Sequence, residues 1–186
     1  MTSRTAITFK VADVVSYDHL VPDSTEYDVV SCFFAMHYFF KTEKMAHDFM
    51  RTVASHLRRG GHFIGIVAYG KHIVQCVKHA DEFDNGVVSI KACWVGAPQC
   101  FGSAYTFAVK DTVTEESRVP EYLVFSNVLE KVARMHGLKP VAFSGASAFS
   151  KPQTQDESIL RPLNPTYDGA EAETTRMYAG FAFQKI

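Results

Sequence analysis

Between residues 28 and 67 the chain changes its hydrophobic period twice. Residues 28–35 form a short, continuous apolar run, the pattern of a buried strand. Residues 42–58 instead place Met45, Phe49, Val53, Ala54 and Leu57 on one face at helical spacing. Arg58 and Arg59 suit the negative end of that helix's dipole, and Gly60-Gly61 stops it. Residues 62–67 then read as a second buried strand. A helix between two such strands returns the chain as a parallel neighbour, so this stretch predicts a parallel βαβ unit and an α/β fold.

The first strand ends in a run of rings, Phe33-Phe34-Ala35-Met36-His37-Tyr38-Phe39-Phe40. In an open α/β sheet, ligands bind beyond the carboxyl ends of the strands. Aromatic faces there suit a flat heterocycle, and a His or Tyr edge can hydrogen-bond it. The same run also reads as a core strand entering an aromatic-rich helix start, and this segment alone supports both readings.

Further along, residues 70–79 predict a helix with Ile73, Val74 and Val77 inward. Residues 87–109 become strand-like, with Gly96-Ala97-Pro98 as a turn, which predicts an antiparallel excursion. Ser126 is the expected cap of a helix running to Met135, with Val128, Leu129 and Val132 inward and His136-Gly137 at its end. Short strands are expected at residues 8–13, 139–143 and 177–183, and a long loop at 144–172, where Ser, Pro, Gln and Asp are frequent.

The bulk properties exclude several classes. At 186 residues the chain suffices for one domain and its core, and 47% hydrophobic with 21% charged residues is ordinary for a globular protein. No apolar run approaches the roughly 20 residues of a membrane span, and the start lacks a signal-peptide core, so an intracellular protein is expected. A net charge of −1 argues against a broad electrostatic footprint on nucleic acid, though not against recognition of one nucleotide in a pocket. Cys32, Cys76, Cys93 and Cys100 have no C-x-x-C spacing and are expected to be buried free thiols; no metal site is expected. No glycine-rich nucleotide turn, P-loop or nucleophile elbow occurs.

Four pieces taken in order carry a resemblance: Ser31-Cys32-Phe33-Phe34-Ala35-Met36-His37-Tyr38-Phe39-Phe40, Gly60-Gly61-His62-Phe63-Ile64-Gly65, Val119-Pro120-Glu121-Tyr122-Leu123-Val124, and Tyr178-Ala179-Gly180-Phe181-Ala182-Phe183. Together they resemble the eukaryotic mRNA cap guanine-N7 methyltransferases. Phe83-Asp84-Asn85-Gly86 and Phe101-Gly102-Ser103-Ala104-Tyr105-Thr106-Phe107 look like that family's central antiparallel segment, and residues 9–13 like its adenine-site strand. The resemblance covers residues 8–143 and 174–185.

It implies a Rossmann-like class I S-adenosylmethionine-dependent methyltransferase fold with an antiparallel insertion, as a single partial domain over residues 1–186. The implied reaction moves a methyl group from S-adenosylmethionine to N7 of the cap guanine. Phe34, His37, Tyr38, Glu121 and Tyr178 would bind the guanine, and Asp13 and Phe33 the cofactor. The implied partner is 5′-capped mRNA, alongside other capping enzymes or RNA polymerase machinery, in the nucleus. No catalytic base is nominated, because N7 already carries a free lone pair. Two alternatives are a non-catalytic methyltransferase-like stimulatory subunit and another small-molecule methyltransferase.

The chain departs from the family in three places. Phe33 stands where Gln is usual, and Ala68-Tyr69-Gly70 where Pro-Asn-Ser is usual. The family's first two strands, glycine-rich loop and ribose-binding acid would precede residue 8, so an N-terminally truncated fold is expected. The strand at residues 28–35 would then be an uncovered edge. Residues 1–186 alone are therefore expected to fold poorly or aggregate and to bind S-adenosylmethionine weakly or not at all.

Overall fold

The computed structural model describes residues 7, 9–11, 25–110, 119–144 and 169–186. The expected βαβ unit is present. Strand β1 (Tyr27–Phe33) pairs in parallel with β2 (Leu57–Ala68), and helix α2 (Glu43–Ser55) crosses between them. A single short turn, α1 (Met36–Phe39), precedes α2. Thr42 caps α2 with its side chain, Oγ1 accepting from the Met45 N–H at 3.2 Å.

Helix α2 ends three residues earlier than its periodicity predicts. Leu57 continues the apolar face set by Val53, yet it starts β2 opposite Tyr27. Arg58, Arg59, Gly60 and Gly61 therefore belong to the strand. Arg58 pairs with Asp28 on β1 instead of facing a helix end. Between Tyr27↔Leu57 and Val29↔His62 the register slips, and Gly60 sits at φ +78° in that irregular stretch. Side chains from the next strand hold it: Lys185 Nζ donates to the Leu57 carbonyl (2.7 Å) and Gln184 Nε2 to that of Gly60 (3.2 Å).

After β2 the chain forms α3 (Gly70–Cys76) and then strands β3 (Glu82–Asp84), β4 (Val88–Ala92), β5 (Ala104–Val109) and β6 (Pro120–Tyr122). These four strands make the expected antiparallel excursion, a sheet of order β3-β4-β5-β6. Helix α4 (Ser126–Met135) buries Leu129 and Val132. Its N-cap is Phe125, without a side-chain hydrogen bond, so Ser126 is the first helical residue and not the expected cap. Gly137 at φ +73° ends it as expected.

Strand β7 (Leu138–Ser144), helix α5 (Gly169–Arg176) and strand β8 (Tyr178–Lys185) complete the chain. The first sheet has the order β1-β2-β8-β7, with β8 antiparallel between β2 and β7. The helix at 169–176 replaces part of the expected loop; residues 145–168 lie outside the described residues. Of the strand expected at residues 8–13, Phe9, Lys10 and Val11 are described. They are exposed and in no strand. Asp13 lies outside the described residues.

Each sheet has its own core. Phe49, Met50, Val53, Phe63, Leu129, Val132 and Phe183 belong to the first cluster, between the α2/α4 layer and the first sheet. Ile73, Val88, Ile90, Tyr105, Leu123 and Met177 belong to the second. Backbone bonds join the halves: Gly70 N–H to the Val124 carbonyl (3.0 Å), Tyr69 N–H to that of Met177 (2.7 Å), and Gly102 N–H to that of Phe40 (3.0 Å).

Strand β1 is not the buried strand its composition predicts. Among the described residues it is the edge of its sheet, with Val29 and Phe33 each half exposed. Two cysteines also depart from expectation: Cys93 and Cys100 are exposed, whereas Cys32 and Cys76 are partly buried, and all four are free.

Candidate active site

Strand β1 stops at Phe33 because Phe34 turns into the left-handed region, at φ +56°. That conformation is strained for a bulky side chain and is concentrated at functional sites. The Phe34 N–H still bonds the Ile66 carbonyl (2.9 Å), which fixes the turn against β2. The ring, 52% exposed, meets Tyr178 edge-on with centroids 5.1 Å apart. Tyr178 is the first residue of β8 and pairs with Ala68 at the carboxyl end of β2. The site therefore lies at the strand ends, where an α/β sheet binds ligands.

Helix α1 follows at once and carries His37 and Tyr38, whose rings meet at 4.3 Å. His37 is 5% exposed, and among the described residues neither ring nitrogen has a hydrogen-bond partner. Burial pushes its pKa down from 6.5 to about 4, so the imidazole is neutral. Its Nε2 is 3.7 Å from Glu121 Oε1, too far for a hydrogen bond.

Glu121 comes from the other sheet, as the central residue of β6. Burial raises its pKa, and a hydrogen bond from Tyr105 lowers it. The Tyr105 hydroxyl donates to Oε2 at 2.7 Å, and the two residues face each other across the β5–β6 ladder. Burial and the nearby carboxylate also raise the phenols of Tyr38 and Tyr178, the latter to about 12. The result is one carboxylate among neutral rings.

The structure thus brings together Phe34, His37, Tyr38, Glu121 and Tyr178, all five of the residues nominated for the base. Phe33, nominated for the cofactor, is 50% exposed at the end of β1, next to Phe34. Sequence reasoning missed Tyr105 as a site residue. Its signal is present only in the register of β5 against β6, which the sequence does not display.

The segment Ala68-Tyr69-Gly70 has a physical reason for its last residue. A Cβ on Gly70 would come within 2.7 Å of the Val124 carbonyl oxygen. The seam between the two halves closes there, so glycine is the residue that fits. Among the described residues no group of three or more His, Cys, Asp or Glu side chains stands close enough to hold a metal, and no helix is long and apolar enough to cross a membrane.

The fold is that of the S-adenosylmethionine-dependent methyltransferases. A crystal structure of one from Mesorhizobium loti superposes with a TM-score of 0.53 at 17% identity, covering 99% of this chain and 72% of that one. More narrowly, residues 5–186 match the mRNA (guanine-N(7))-methyltransferase domain, and the chain belongs to that family.

Curated relatives include an mRNA cap guanine-N(7) methyltransferase of Cryptococcus neoformans var. neoformans serotype D, 30% identical over 95% of this chain and 26% of its own length. Another is mRNA cap guanine-N(7) methyltransferase 1 of Arabidopsis thaliana, 28% identical over 87% of this chain and 45% of its own. That of Schizosaccharomyces pombe is 28% identical over 89% of this chain and 50% of its own. The chain spans half or less of the length of these three relatives.

Proposed function

We propose that this chain forms the acceptor side of a cap guanine-N7 methyltransferase site, acting on 5′-capped mRNA in the nucleus. The observation that carries the reading is the partly buried carboxylate of Glu121, oriented by Tyr105 and bordered by Phe34, His37, Tyr38 and Tyr178. Guanine presents two adjacent donors, N1–H and N2–H, which one carboxylate accepts together. Adenine offers no such pair and would leave the partly buried charge unpaired, a basis for rejection. The rings offer faces and edges to the base, and His37 brings two nitrogens that lack a partner among the described residues.

N7 needs no deprotonation, so the residues have no proton to move. Their work is to hold N7 in line with the incoming methyl group. S-adenosylmethionine supplies that methyl on a sulfonium, an electrophile activated without a metal. The half-exposed ring of Phe33, at the carboxyl end of β1, fits a cofactor that combines a flat adenine with a cationic sulfur. Asp13 is proposed at the adenine on family resemblance alone. Alongside the capped RNA, other capping enzymes or RNA polymerase machinery are the proposed company of the site.

Calorimetric titration with the unmethylated cap dinucleotide GpppA tests the reading. Glu121→Ala should weaken binding by roughly 100-fold, since it removes both acceptors at once, while the melting transition stays cooperative. Unchanged binding would take Glu121 out of the site.

A further inference from the structure

Tyr105 is completely buried, and its hydroxyl serves one acceptor in the structure, Glu121 Oε2. A phenylalanine would fill the same space in the second core without a polar atom to satisfy. The hydroxyl therefore has its meaning at the carboxylate. A carboxylate has about four acceptor positions. Tyr105 occupies one on Oε2, and His37 is too distant to occupy one on Oε1. Among the described residues, nothing else takes the two positions on Oε1 or the second on Oε2, which leaves them for a ligand.

We infer that Tyr105 is a positioning residue: it fixes Glu121 as an ionised acceptor of two hydrogen bonds, and so sets the preference for a base with both a ring N–H and an adjacent amino group. This rests on the cap-guanine reading of the site. In this assignment Tyr105 does not touch the base. It acts through orientation, because the bond joins facing positions on two paired strands.

It also acts through charge. The titratable groups around Glu121 are His37 and Tyr38 from α1, Tyr105 from β5 and Tyr178 from β8. His37 is held neutral and the three phenols stay protonated, so none of these groups presents a cation to the carboxylate. Against burial, which favours the protonated acid, the opposing influence is the Tyr105 hydrogen bond. A protonated Glu121 would set its own O–H against a donor of the base, and paired recognition of N1–H and N2–H would fail.

The test compares GpppA with IpppA, its hypoxanthine counterpart, which lacks only the amino group. Affinities are measured calorimetrically from pH 5.5 to 8 for the whole chain and for Tyr105→Phe. The unaltered chain should prefer GpppA by about 10-fold or more. Tyr105→Phe should lose about 10-fold toward GpppA and little toward IpppA, which collapses the preference. The acid limb of GpppA binding should move up by about one pH unit, because the carboxyl now protonates more readily.

An unchanged preference with an unchanged acid limb overturns the inference. An unaltered chain that folds but binds neither dinucleotide overturns the cap reading itself, and this inference with it. If Tyr105→Phe alone fails to melt cooperatively, the double variant with Glu121→Gln decides. A neutral amide carries no charge for the phenol to stabilise, so the double variant should regain its transition. Failure to regain it would show that the phenol serves the core alone.

Discussion

The two sheets reach the site by different means. The first sheet supplies Phe34, His37, Tyr38 and Tyr178 from strand ends and the short helix beyond β1. The second supplies Glu121 and Tyr105 from within paired strands, one facing the other. A residue at a strand end is placed by a turn, whereas one in a ladder is placed by its neighbour's backbone. The aromatic rim should therefore tolerate exchange of single rings, while the carboxylate depends on the whole of the antiparallel sheet staying in register.

The most severe break of this division is expected on the first sheet, where β1 rests on β2. A Cβ on Gly65 would lie 1.9 Å from the Cys32 carbonyl oxygen and 2.5 Å from the Phe181 ring. Gly65→Ala cannot be absorbed by a side-chain shift, because the nearest atom is backbone. It should cost about 3 kcal/mol or more, in the range of severe core overpacking. Urea unfolding reads this directly, and a cost within 1 kcal/mol would mean that β1 is not held as described.

The next effect separates the two contributors by pH. The folded pKa of His37 lies near 4, against 6.5 unperturbed, so the unfolded chain binds the proton more readily. His37 therefore withdraws stability as pH falls through 6.5, up to about 3 kcal/mol by pH 4. Glu121 has the opposite sign: its raised pKa favours the folded state in acid and loses that advantage as pH rises through its folded value. In His37→Gln the acid-side loss should shrink by the His37 share, leaving the losses from His72 and His136, whose pKa values burial also lowers, beside the Glu121 trend. Urea midpoints of the two proteins between pH 7.5 and 4.5 check this, and parallel profiles would contradict it.

The smallest effect sharpens the comparison at the turn itself. Phe34→Gly relieves the left-handed backbone, worth about 1 kcal/mol, and loses the edge contact with Tyr178, worth about as much. Thermal stability should change little, while affinity for GpppA falls by about 10-fold. A large loss of stability with unchanged affinity would make Phe34 a core residue instead of a rim residue.

How far these features were legible depended on whether their cause was local. The parallel pairing of β1 with β2 followed from period changes in one continuous stretch. The rim residues followed from a motif in which Phe34, His37 and Tyr38 are near neighbours, supported by Glu121 and Tyr178. The end of α2 was illegible because Leu57 satisfies the helical face and the strand ladder equally. The choice was made by Tyr27, Asp28 and the side chains of Gln184 and Lys185, none of them in the local window. Tyr105 was hidden for the same reason. Nothing within β5 distinguishes it from another core aromatic until β6 brings Glu121 opposite. The exposure of β1 was legible only through the family resemblance, since its composition alone reads as buried.

The separate cores give the molecule a built-in optical division. Its single tryptophan, Trp94, packs against the second cluster, next to the antiparallel sheet, and the first cluster has none. Indole emission therefore watches only the half that carries Glu121 and Tyr105, while far-ultraviolet dichroism watches both halves. Superimposed denaturation curves from the two signals would show one cooperative unit. Curves that separate would reveal which half loosens first, without any added label.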